Sequence, residues 1–111
     1  MVKVTYPLML TVAANTSGKI SVLTVPEGRK FRLTALIVNF PAGTENELLI
    51  RALQGIANAI PRTGWLTGDD AVIVAEGDVE YSAGSEVVIE YSNTNGTTSK
   101  SAFVLVEGEM I

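Results

Sequence analysis

Apolar and polar residues alternate along most of this chain with a period of two. From Tyr6 to Val12, the residues Tyr6, Leu8, Leu10 and Val12 share one face and Thr5, Pro7, Met9 and Thr11 the other, which predicts a half-buried strand. Pro7 has no N–H to give to a ladder, so this strand belongs at a sheet edge. Asn15-Thr16-Ser17-Gly18 has turn chemistry and leads into a second strand, Lys19 to Val25. Pro26-Glu27-Gly28 turns the chain into a third. There Phe31, Leu33, Ala35 and Ile37 point one way, and Lys30, Arg32 and Thr34 the other. Leu36, Val38 and Phe40 then continue the second row, so a face that begins polar ends apolar.

The segment from Asn46 to Pro61 supports two readings. Thr44 with Glu47 resembles a capping box, and Leu49, Leu53, Ile56 and Ile60 recur at helical spacing before Pro61. Against a helix stand Gly55 in mid-segment, Asn58, and the apolar Leu48 and Ile50 off the stripe. A hairpin of Glu47–Leu53 and Ile56–Ile60 around Gln54-Gly55 is the preferred reading. Residues 61–70, with two glycines, a proline and the only Trp, predict a loop. Further strands are expected at 71–75, 78–82, 86–92 and 100–107. In 86–92, Val87, Ile89 and Tyr91 face the core. Asn95-Gly96 carries a hairpin-tip signal, and the last strand is apolar on both faces. Eight or nine short strands with turns between them predict an all-β fold: a single-domain antiparallel β-sandwich over residues 1–111, jelly-roll-like in preference to immunoglobulin-like, with a barrel as the weaker option.

Composition narrows the chemistry. The 111 residues suffice for one core. They are 47% hydrophobic and only 18% charged, so the surface is short of charge. Eight basic residues against 12 acidic ones, with no basic cluster, argue against nucleic acid as a partner. The N-terminal stretch MVKVTYPLMLTV has no apolar core followed by a cleavage site, and no apolar run reaches the roughly 18 residues of a membrane span. The expectation is a soluble chain, cytoplasmic or in a virion, with no membrane partner. Asn15-Thr16-Ser17 and Asn95-Gly96-Thr97 fit the glycosylation pattern but read more simply as turns.

Cysteine and histidine are both absent. The chain therefore has no thiolate chemistry, and the commonest catalytic base is missing. Asp78 with Glu80, and Glu86 with Glu90, sit at alternate strand positions as acid pairs do in glycosidases, yet such pairs also mark any solvated sheet face. No enzyme activity is expected. Asp69 and Asp70 in the Gly-rich loop, with Asp78, are candidates for calcium, and local turn bonds account for them as well. No metal and no cofactor are expected. Among ligands, carbohydrate fits best, through Trp65 and Tyr81, with Tyr91 and the outlying Tyr6 as further aromatics. Exposed coplanar rings at Trp65 and Tyr81 would favour that carbohydrate- or receptor-binding alternative.

The missing polar face is the strongest signal. A strand apolar on both sides needs cover on both, and a two-layer sandwich covers one. Leu36, Val38 and Phe40, with Ala102, Val104 and Val106, are therefore assigned to an outer row covered by copies of the chain, in preference to the chain's own long loops folding over it, and Leu48 and Ile50 add to the excess. On this reading Val38→Asp or Val104→Asp yields a soluble but smaller species. The profile, with the phrases VPEGRKFRLTALIV (25–38) and YSAGSEVVIEYSN (81–93), resembles small virion and phage accessory proteins such as capsid decoration and tail-tip jelly rolls. That resemblance implies a structural role in a particle, a homo-oligomer such as a trimer, and other particle proteins as partners.

Overall fold

A computed structural model describes residues 2–111. Eight strands run in chain order: β1 (Val2–Val12), β2 (Ser17–Thr24), β3 (Phe31–Phe40), β4 (Leu48–Gln54), β5 (Ala57–Ile60), β6 (Ala71–Tyr81), β7 (Glu86–Asn93) and β8 (Lys100–Met110). They form two four-stranded antiparallel sheets, ordered β1-β8-β3-β6 and β2-β7-β4-β5. The ladders nest: β4 pairs β5, β3 pairs β6, β2 pairs β7 and β1 pairs β8. That is a long hairpin wrapped around a core, the jelly-roll form of the β-sandwich. β1, with its proline, lies at a sheet edge as its sequence requires.

Residues 46–60 are the hairpin, not the helix. Gly55 takes a φ of 61° in the two-residue turn, a conformation that costs a side chain but not glycine. Among the described residues only this connection joins neighbours of one sheet. Asn95-Gly96 is not a hairpin tip, because β7 and β8 lie in different sheets. Residues 71–75 and 78–82, expected as two strands, are one strand whose register shifts at Gly77-Asp78.

The same irregularity explains the two-faced β3. Leu33 pairs with Gly108 and Val79, whereas Ala35 pairs with Glu107 and Glu76, so β3 gains a residue on β8 at Thr34. A bulge reverses which parity points inward. Phe31 and Leu33 face the core before it; Leu36, Val38 and Phe40 face the same core after it, and all five are fully buried. Two apparent rows are one row, re-phased. Gly108 allows the strands to close here, since a Cβ on it would collide with the Arg32 carbonyl oxygen and the Phe31 ring.

The core joins this row to Leu10, Val12, Ala102, Val104, Val106 and Met110 of the same sheet, and to Leu48, Ile50, Ala52, Ile60, Val87 and Ile89 of the other. Each large side chain so buried contributes roughly 1.5–3 kcal/mol. At one end Phe31 packs edge-on against Tyr6, with centroids 6.1 Å apart, and tilted against Tyr81 at 6.2 Å.

Candidate functional site

The exterior of the β1-β8-β3-β6 sheet is read directly from the ladder registers. Row by row across β1, β8, β3 and β6 it presents Lys3–Glu109–Arg32–Glu80, then Thr5–Glu107–Ala35–Glu76, then Pro7–Leu105–Ile37–Val74, then Met9–Phe103–Asn39–Val72. The first two rows are charged and the next two apolar. Thr11 and Ser101, hydrogen-bonded at 3.1 Å, close the apolar half with hydroxyls. Met9, Val72, Val74 and Phe103 are exposed by 64, 60, 58 and 47%, high for large apolar residues placed side by side. Ile37, Asn39, Val72, Phe103 and Leu105 line a shallow groove of about 220 Å³.

This face is the inverse of the one expected. Leu36, Val38, Phe40, Ala102, Val104 and Val106 are at most 2% exposed and lie inside the sandwich, as do Leu48 and Ile50. They cannot meet another chain, and aspartate at Val38 or Val104 would strike the core rather than an interface. Ile37 shares sequence parity with Phe31 but faces out, because the bulge intervenes. The change of hydrophobic parity within one strand was itself the signal that would have located it.

Charge on the face alternates in sign. Lys3, Glu109, Arg32 and Glu80 follow one another across the four strands. Within the chain, Arg32 Nε lies 3.2 Å from Asp78 and Lys30 Nζ 3.5 Å from Glu80. Glu109 Oε2 is buried without a hydrogen-bond partner, alone among side-chain polar atoms of the described residues.

The aromatic pair comes apart. Tyr81 is fully buried, and its hydroxyl donates to the Leu53 carbonyl oxygen at 2.8 Å. Desolvation raises its pKa far above the usual phenol range. Tyr81 therefore cannot stack on a ligand, which corrects the expectation for it. Trp65 is half-buried on the opposite sheet, with the Arg51 guanidinium 3.8 Å over its ring. Arg51 Nε in turn donates to Glu90 at 2.6 Å. Tyr91 covers Gly18, and Tyr6 packs on Phe31.

The acidic candidates are also dispersed. Asp69 Oδ1 accepts the Gly43 N–H at 2.8 Å, Asp70 precedes β6, and Asp78 sits near its far end beside Arg32. No three His, Cys, Asp or Glu residues gather among the described residues. The remaining polar concentration binds loops together: Glu47 accepts from Asn95 at 3.1 and 3.2 Å, and Lys100 donates to the Gly43 carbonyl at 2.6 Å.

No family model matches the chain, and no curated protein matches it. Among solved structures it is similar to FLHE, at 14% identity and a TM-score of 0.46, over 95% of this chain and 96% of that one. It is also similar to a protein of the disulfide-linked pili that form Bacillus endospore appendages, at 14% identity and a TM-score of 0.43, over 96% and 85%. This chain has no cysteine, so no disulfide can link its copies.

Proposed function

We propose that this protein is a non-enzymatic structural module that associates with itself through the outer face of the β1-β8-β3-β6 sheet. The observation that carries the reading is the pair of adjacent apolar rows, Pro7–Leu105–Ile37–Val74 and Met9–Phe103–Asn39–Val72, on a face that a lone sandwich leaves in water. Packing a second sheet on them removes that surface from water, at roughly 25 cal/mol per Å².

Charge names the occupant. A two-fold axis running along the strands between β8 and β3 sets each row against its own reverse. Lys3 then faces Glu80 of the second copy, and Glu109 faces Arg32. Opposite signs meet at all four positions. In the next row Glu107 faces Ala35 and Glu76 faces Thr5, so no like charges meet. Self-complementarity of this kind is what an isologous contact requires. A two-fold pair replaces the trimer implied by resemblance, and the building-block role agrees with the particle proteins of that resemblance. The carbohydrate alternative loses its platform with Tyr81 in the core.

Phe103→Lys tests the proposal. Its side chain lies outside the core, so the variant keeps the wild-type circular dichroism. Light scattering after size exclusion is expected to show the wild type as a dimer or larger and the variant as a single chain. A wild type that runs as a single chain at all concentrations, or a variant of unchanged mass, overturns it.

A further inference from the structure

The rim of the same sheet offers a second contact. Among the described residues, β6 pairs with β3 on one side and with no strand on the other. The free N–H and C=O groups of such an edge are a template for another strand. The other three margins are guarded. β1 has Pro7 in mid-strand and Lys3 near its start; β2 is bulged between Ser21 and Leu23 and carries Lys19. β5 has four residues, and past it Leu66 already bridges Ile50. On β6, the stretch Ala71–Ala75 has no charge, proline or glycine.

Its sequence, AVIVA, is the same read in either direction. Antiparallel pairing with a second copy about a two-fold axis at Ile73 sets Ile73 opposite Ile73, Val72 opposite Val74 and Ala71 opposite Ala75. β-branched residues then meet across the joint, a favourable cross-strand pairing. Beyond them Asp70 would oppose Glu76, like charges that end the ladder at these five residues. A slip of two residues brings Glu76 opposite Val72, so the register is defined from both sides.

We infer that β6 pairs antiparallel with β6 of a second copy over residues 71–75 and fuses two four-stranded sheets into one of eight strands. The inference rests on the self-association proposed above but uses the rim, not the face. The apolar rows run on through the joint, from Leu105, Ile37 and Val74 of one copy to Val72, Asn39 and Phe103 of the other. A chain with two separate isologous contacts extends into an open array instead of stopping at a pair.

The cysteine-free sequence makes a single introduced thiol a unique reporter. Opposed residues of an antiparallel pair stand within reach of a disulfide, so under a mild oxidant Ile73→Cys should form linked dimers at least about tenfold faster than Ile56→Cys, a fully exposed hairpin-tip control for random collision. An equimolar mixture of Val72→Cys and Val74→Cys should link faster than either variant alone. Both side chains lie outside the core, so this arm holds even where Ile73→Cys fails to fold. Linking no faster than the control, in protein whose wild-type mass exceeds one chain, overturns the edge contact and leaves the face. A wild-type mass of one chain, with no preferred linking, overturns both. Preferential linking of Val72→Cys to itself overturns the register.

Discussion

Tyr81 on β6 reaches through the core to donate its phenol hydrogen to the carbonyl oxygen of Leu53 on β4, joining the two sheets at 2.8 Å. Tyr81→Phe keeps the ring and leaves that carbonyl without its partner. A loss of roughly 1–2 kcal/mol is expected. It is read from the urea midpoint at unchanged slope, with the mass in solution unaffected.

Val38 and Val72 both lie in the β3–β6 ladder but point to opposite sides. Val38 is wholly buried and Val72 is 60% exposed. Val38→Asp places an unpaired carboxylate in the core and is expected to abolish folding, seen as loss of the β-sheet circular dichroism signal. Val72→Asp is expected to stay folded and to lower the mass in solution.

Strand positions were legible because turn residues and alternation mark them locally. Pro7 placed β1 at an edge, and Gly55 with Asn58 tipped residues 46–60 to a hairpin. The face was not legible by alternation alone. Its inversion depends on one added residue at Thr34, accommodated by Gly108 on one neighbour and Gly77-Asp78 on the other, strands that are remote in sequence. Tyr81 likewise alternates like any strand residue; only the partner sheet reveals that its hydroxyl finds a carbonyl in the core. Lys3, Glu109, Arg32 and Glu80 form a row only once strand order is known.

Asn93 is 2% exposed, and its Nδ2 donates to the carbonyls of Val12, Ala13 and Thr98 at 3.0, 3.2 and 3.0 Å. Asn93→Ala orphans these acceptors, and about 1–3 kcal/mol of stability is expected to go. Asn93→Asp keeps the shape but turns an acceptor toward three oxygens. Thermal unfolding should place it below the alanine variant.

Glu47 has its pKa lowered from 4.5, chiefly by the Asn95 hydrogen bond; desolvation opposes this, and the hydrogen bond and charge of Lys100 lower it further. Folding favours the ionised form, so the unfolded chain binds more protons. The stabilisation is present above pH 4.5 and fades as pH falls through the lower folded value. The gap in melting temperature between wild type and Glu47→Gln is accordingly expected to narrow from about pH 6 to about pH 3.

The nesting of the ladders, from β4–β5 inside to Val2 opposite Met110 outside, also sets an order of assembly. Once the Leu48–Ile60 hairpin has formed, the arms that must meet next already start from its two ends. Each enclosing ladder therefore closes a short gap instead of the full separation in sequence, which keeps the entropic cost of every step small. A chain whose first and last segments are partners can thus zip from its middle outward, and pulse-labelled hydrogen exchange during refolding is expected to find the amides of β1 the last to become shielded.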